Sequence, residues 1–315
     1  LAIQPGGKIS MRILLTGASS FSGMWFAKAL AEAGHEVVAA LRSEGYEDPL
    51  RRARLDRVAA VADVVPGAPF GADAFLELVA RRGPFEVLCH HGAEAAGHKR
   101  PDFDVAGAVA TNTRNADRTL AALKTCGARR LVLTGSVFEE DEGVGEEPRR
   151  AFSPYGMSKT LTSRALAQAA NDAGLDFVKF VVPNPFGPFE AQTFQRFVMT
   201  SWREGRPAHV SHPFYVRDNV PVDLLARTYV AASEGLLGAH VSPSFYAGSV
   251  GAFFQRMAAE TASRTGWACA LTLADSQSFE EPRIRTNSQQ LDPHAYGWSE
   301  GGFWDAYVDY YANGA

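Results

Sequence analysis

An α/β fold is what the sequence predicts: a doubly wound parallel sheet first, then a smaller C-terminal α/β substrate-binding domain. Three observations carry this expectation. Short apolar runs alternate with longer helix-like runs from Met11 to Val182, the order a parallel sheet needs. The first run passes through a glycine-containing turn, Gly17 to Gly23, straight into an amphipathic stretch. From Pro183 the segments shorten and proline, glycine and aromatic residues separate them. Domains are therefore expected at 11–183 and 184–315, with some chain crossing back between them.

Taken in order, Met11 to Thr16 reads as a buried strand, and Phe21 to Ala33 as a helix that Gly34 stops. Glu36 to Ala40 is the second strand. Strand, glycine turn, helix and strand in that order open a Rossmann-type dinucleotide-binding unit. Its turn lets backbone approach a pyrophosphate, and the helix N-terminus offers free N–H groups. The second strand ends in Leu41-Arg42, with no acid to accept from a ribose 2′-hydroxyl. A cation there suits a 2′-phosphate, so NADP(H) is favoured over NAD(H). Arg51 to Arg57 reads as an exposed, charged helix face. A third strand is expected within 58–65 and a helix over 72–82. Glu86 to His91 is the fourth strand, and Gly92-Ala93 leaves room for a cofactor. His90 and His91 lack partners at metal-ligand spacing. A long helix is expected over 104–125, with Asn112 inside it. Arg130 to Thr134 is the fifth strand, and the acidic stretch Glu139 to Glu147 reads as a solvated loop. A helix from Ser153 to about Ala173 leads to a sixth strand, Asp176 to Val182.

Composition excludes several roles. The 315 residues are 46% hydrophobic and 21% charged, an ordinary globular balance. A net charge of -4 without a long basic run gives nucleic acid no electrostatic purchase. Apolar runs are short and broken by charge, so no membrane span is expected. Cys89, Cys126 and Cys269 have no paired or metal-like spacing, which fits a reducing, cytoplasmic compartment. Residues 1–10 lack the features of a signal peptide and read as an expression leader before a natural start at Met11.

The chemistry centres on Tyr155 and Lys159, four apart and so on one helix face. An ammonium beside a phenol lowers its pKa and lets it pass a proton near neutral pH.

These features, in this order, resemble the extended short-chain dehydrogenase/reductases, and within them the nucleotide-sugar epimerase/dehydratases. Thr16-Gly17-Ala-Ser-Ser20-Phe21-Ser-Gly23 is similar to the family turn except at Ser20, where glycine is usual. Thr134-Gly-Ser-Val137-Phe138-Glu139 keeps the hydroxyl of Ser/Thr-x-x-Val-Tyr-Gly but not its Tyr-Gly, and Pro154 to Lys159 is intact. Asn184 to Pro188 is similar to the family segment whose Asn lies by the sugar nucleotide, Arg217 to Ala226 to one in the substrate lobe, and the tail from Pro282 to Trp298 to the closing stretch.

The resemblance implies an NAD(P)-dependent enzyme in which Tyr155 carries the proton, Lys159 tunes it and Thr134 aligns the substrate oxygen. It implies cofactor contacts from Gly17, Ser20, Phe21, Gly23, Arg42, Gly92, Ala93, Asn112, Tyr155, Lys159 and Pro183. Substrate contacts would come from Thr134, Ser136, Asn184 and Arg217, and no metal is expected. Arg196, Arg203, Arg283 and Arg285 are further candidates for a diphosphate. Gly135 and Ser136 stand where sugar dehydratases carry acids, which argues against loss of water. A 4-keto-sugar reductase acting on a nucleotide sugar is the leading expectation, with a 4-epimerase holding NAD as the alternative. A 4,6-dehydratase and a non-catalytic dinucleotide-binding regulator rank below these. Family practice also implies a homodimer built on the helices at 104–125 and 153–173.

Overall fold

The computed structural model describes residues 10–314. Of the expected leader, only Ser10 falls within them. The first half runs β1 (Arg12–Thr16), α1 (Phe21–Glu32), β2 (Glu36–Ala40), α2 (Pro49–Ala59), β3 (Asp63–Val65), α3 (Asp73–Arg82) and β4 (Val87–His90). It continues through α4 (Val105–Asn112), α5 (Ala116–Thr125), β5 (Arg130–Ser136), β6 (Val144–Gly145), α6 (Pro154–Asp172) and β7 (Asp176–Val182). Then come β8 (Asn184–Phe186), α7 (Phe194–Arg203), β9 (Ala208–Val210), β10 (Val216–Pro221), α8 (Val222–Glu234) and β11 (His240–Val241). The chain closes with β12 (Pro243–Ser244), β13 (Ala247–Ser249), α9 (Val250–Thr265), β14 (Leu271–Leu273), β15 (Arg285–Thr286), β16 (Gln289–Gln290) and α10 (Glu300–Asp309).

Seven strands form one sheet in the order β11-β7-β5-β4-β1-β2-β3, and every pairing in it is parallel. Alternation along the strands feeds two cores. Ile13, Leu15, Val37, Cys89, Val132 and Phe180 face helices α1, α2 and α8. Leu14, Val38, Leu88, Leu131 and Leu133 face α3, α5 and α6. Apolar residues on both faces are what a doubly covered parallel sheet needs. The late strand β11 returns to pair with β7, so chain does cross back. A separate three-stranded sheet, β13-β10-β8, carries the segment around Asn184 and Arg217.

Two expectations fail in this half. The helix over 104–125 is broken: Asn115 sits at φ 47°, and its side-chain amide donates to the Gly71 carbonyl at 2.8 Å. Asparagine tolerates that left-handed conformation, and one tertiary hydrogen bond rewards it. The Arg51 to Arg57 face is not wholly exposed either. Arg54 is buried and donates through Nε and Nη2 to the Phe189 carbonyl, at 2.9 and 2.6 Å.

Candidate functional site

The strand order reverses between β1 and β4, and ligands of open α/β sheets bind in the crevice beyond the strand ends at such a point. A cavity of about 530 Å³ lies there. Thr16, Gly17, Ser20 and Phe21 line one side, and His90, His91, Gly92 and Ala93 another. Arg42, Tyr46, Arg51 and Glu94 stand at one end, with Thr134, Ser136, Tyr155 and Lys159 at the other.

The turn between β1 and α1 is built for close approach. Gly17 has φ +76°, and a Cβ on it would meet the Gly92 nitrogen at 2.6 Å. A Cβ on Gly23 would meet the Gly17 carbonyl oxygen at 2.2 Å, so Gly23 shapes the turn from beneath. Ser20 caps α1, accepting from the Gly23 N–H. Its Oγ also lies 2.9 Å from His91 Nε2, and Ser22 Oγ lies 3.1 Å from the same nitrogen. The serine in place of glycine is therefore tied back to the end of β4. Ser20, Phe21 and Ser22 place the first turn of α1 on the cavity wall, where helix N–H groups have no partner within the helix. A dinucleotide fits these features: a glycine turn packed directly on the backbone at the end of β4, a helix N-terminus and a cavity beside both.

At the other end, Ser153 caps α6 by accepting from the Gly156 N–H, and Pro154 follows in its first turn. That start sets Tyr155 and Lys159 one turn apart, facing β5. Lys159 Nζ donates to the Thr134 carbonyl at 2.6 Å and is buried. Burial pulls its pKa below the usual lysine value. The Tyr155 ring meets His98 and Phe103 edge-on, with centroids at 5.6 and 5.8 Å. Burial, and then the Glu139 carboxylate, push its phenol up to about 12. This departs from the expected lowering by Lys159, whose ammonium is bonded to the Thr134 carbonyl. Burial, and then Lys159, hold His90 down to about 4 and His91 down to about 3, so both rings are neutral.

Asn112 is buried and doubly bonded. Its Oδ1 accepts from the Glu94 N–H at 2.7 Å and its Nδ2 donates to Thr162 Oγ1 at 3.3 Å. The Thr134 hydroxyl donates to Tyr229 at 3.5 Å.

The remaining predicted contacts lie elsewhere. Pro183 is buried beside the cavity residue Val182 and is not on its lining, and Asn184 sits on β8 opposite Asn219. Arg217 lies apart from the cavity. Its guanidinium donates to the carbonyls of Val216, Arg283 and Pro282 and to Glu281. Arg285 is fully buried and donates to the carbonyls of Val137, Glu139, Glu142 and Arg150. Arg196 and Arg203 donate to the carbonyls of Glu190 and Tyr311.

The acidic stretch is not simply solvated. Glu139 and Glu142 are buried, and Lys179 reaches them at 2.6 and 2.5 Å. Glu139 also accepts from the Ser136 N–H at 2.7 Å. A Cβ on Gly135 would meet Lys179 Cε at 2.7 Å. A side chain at 135 would press on that lysine, and Glu139 is spent on it. Sequence reasoning missed Glu94, Arg51, Tyr46 and Phe70 on the cavity wall; no local pattern marks them.

A dinucleotide-binding α/β protein with a tyrosine, lysine and threonine at one end of its cleft is the class that this fold and site define. The chain belongs to the NAD dependent epimerase/dehydratase family, whose model matches residues 13–210. It is 27% identical over 237 residues to the 2-alkyl-3-oxoalkanoate reductase of Stenotrophomonas maltophilia, covering 72% of this chain and 66% of that protein. It is 25% identical over 201 residues to vestitone reductase of Medicago sativa, covering 56% and 59%. The chain spans less than two thirds of the length of these curated relatives. The UDP-glucuronic acid 4-epimerase of Bacillus cereus, solved with UDP-glucuronic acid and NAD, shares the fold. Its TM-score is 0.70 at 18% identity, covering 96% of this chain and 99% of that one. Among the described residues no helix is long and apolar enough to cross a membrane, and no group of three His, Cys, Asp or Glu is placed to hold a metal.

Proposed function

We propose that this protein is an NAD(P)H-dependent reductase that turns a ketone into a secondary alcohol. The observation that carries the reading is the convergence of Tyr155, Lys159 and Thr134 on one cavity that the glycine turn also lines. When bound, the nicotinamide supplies the hydride. Tyr155 holds its proton through neutral pH and gives it to the oxygen as that oxygen gains charge. Lys159, anchored on the Thr134 carbonyl, brings positive charge beside the same oxygen and fixes α6 against β5. The Thr134 hydroxyl turns from Tyr229, a contact of 3.5 Å, to orient the substrate.

A ketone without a diphosphate is the leading substrate class, since four of the five candidate arginines are already engaged and the fifth, Arg283, is exposed, with its guanidinium 5.8 Å over the Phe279 ring. Arg217, Arg285, Arg196 and Arg203 all donate to backbone carbonyls of the protein. Three curated relatives are named as reductases, of 2-alkyl-3-oxoalkanoates, vestitone and dihydroflavonol. The second reading is the nucleotide-sugar one, a 4-keto-sugar reductase or a 4-epimerase holding NAD. The likeness to a UDP-sugar 4-epimerase along 96% of the chain favours it. On that reading the substrate lobe begins near Asn184.

The test is consumption of NADH and NADPH with aliphatic and aromatic ketones, set against a nucleotide-linked 4-keto-hexose. Turnover of the sugar nucleotide alone selects the second reading, and interconversion of 4-epimers without net cofactor use selects the epimerase. Tyr155→Phe is expected to cut the reductive rate by about 10²- to 10⁴-fold, while dinucleotide affinity stays within about threefold. An unchanged rate would remove Tyr155 from the chemistry.

A further inference from the structure

The end of β2 offers Arg42 where a dinucleotide site discriminates between a 2′-hydroxyl and a 2′-phosphate. In the folded chain that cation is not free. Its Nη1 lies 2.6 Å from Glu94 Oε2, joining the loop after β2 to the loop after β4 across the mouth of the cavity. Glu94 is itself fixed. Its N–H donates to Asn112 Oδ1 at 2.7 Å, and its Oε1 accepts from the Ala96 N–H at 2.9 Å. Partial burial acts to raise its pKa, but the Ala96 N–H and the Arg42 guanidinium outweigh that and hold it below the usual carboxylate value. A second cation, Arg51, lines the same end and lies 4.9 Å over the Tyr46 ring. No carboxylate pairs with Arg51 among the described residues.

We propose that Glu94 sets the cofactor preference by occupying Arg42, so that the protein binds a 2′-phosphate more weakly than its arginines alone would allow. The proposal rests on the dinucleotide reading of the cavity. A 2′-phosphate brings about two negative charges close to a fixed carboxylate and must compete with it for one guanidinium. A 2′-hydroxyl carries no such charge and pays neither cost. Arg51 gives the phosphate a residual anchor. The sequence suggests an NADP(H) site because Arg42 is visible there; its counter-ion lies 52 positions away and only the fold brings it in.

The experiment is direct titration of the full chain with NADPH and with NADH, followed by nucleotide fluorescence, for four proteins: wild type, Glu94→Gln, Arg42→Ala and the double variant. Glu94→Gln is expected to tighten NADPH by about tenfold and to leave NADH within about threefold. Arg42→Ala is expected to weaken NADPH more in the Glu94→Gln background than in the wild type, because only there is the guanidinium free. Equal changes for both nucleotides, or weaker NADPH binding by Glu94→Gln, would overturn the role of Glu94. A folded wild type that binds neither nucleotide would instead overturn the dinucleotide reading, and this proposal with it. Thermal melting of each variant checks that the protein titrated is folded.

Discussion

Buried polar groups behave differently around the cavity and in the C-terminal half. Around the cavity they are under-used: His90 Nε2 and His91 Nδ1 have no protein partner, and Lys159 spends its ammonium on one carbonyl. In the C-terminal half the buried charged groups are held by several protein partners each, although Arg285 Nε, Asn287 Oδ1 and Trp304 Nε1 have none. Arg285 meets four carbonyls, and Glu190 accepts from Tyr307, Tyr311 and Thr193 at 3.0, 2.7 and 2.8 Å. Asp218 accepts from Ser244 Oγ and the Asn287 N–H at 2.8 and 2.6 Å. Buried polar atoms are costly unless bonded, so those left with capacity on the cavity lining are where a ligand can complete the bonding. Saturated ones mark architecture. A charged residue in a familiar motif is therefore a candidate ligand only if the fold has not already used it.

The sharpest way to break this contrast is to delete one cation from each half. Arg285→Met is expected to cost about 3 kcal/mol or more in urea unfolding, since four carbonyls lose their donor. Lys159→Met is expected to cost less than Arg285→Met, because the loss of one carbonyl bond is offset by removal of a desolvated charge, yet to abolish most reductive turnover. Equal stability losses would erase the distinction.

A smaller effect comes from Glu190. Burial raises its pKa from 4.5 to about 7, although three hydroxyls pull the other way. A carboxyl with a raised folded-state pKa contributes stability that is full below about 4.5 and is lost as pH rises towards about 7. Unfolding free energy should fall across that window by about 2–3 kcal/mol. Glu190→Gln should flatten the dependence; an unchanged slope would assign it to other groups. The smallest effect is Ser20→Gly, which restores the glycine usual in the family. It removes a cap and the tie to His91, and a few tenths of a kcal/mol is expected in thermal unfolding. A loss above about 1 kcal/mol would show the Ser20–His91 contact to be structural.

Much of the first half was legible because its signals are local. Glu36–Ala40 and Asp176–Val182 are strands with the bounds that their apolar runs suggest. Ser20, Ser153-Pro154 and Gly34 punctuate helices through bonds and dihedrals to near neighbours. The break at Asn115 was not legible, because its reward is the Gly71 carbonyl, 44 residues away.

By itself the sequence determined the alternation of strand and helix, the glycine turn and the i, i+4 spacing of Tyr155 and Lys159. Periodicity, capping and glycine sterics act over a few residues and need no partner from elsewhere. The tertiary structure decided what each charge is for. It turned Lys159 to Thr134, closed Arg217 and Arg285 on backbone carbonyls, buried Glu139 against Lys179 and set Glu94 on Arg42. Charge and hydrogen bonding depend on distance and burial in space, and those exist only once the chain has folded.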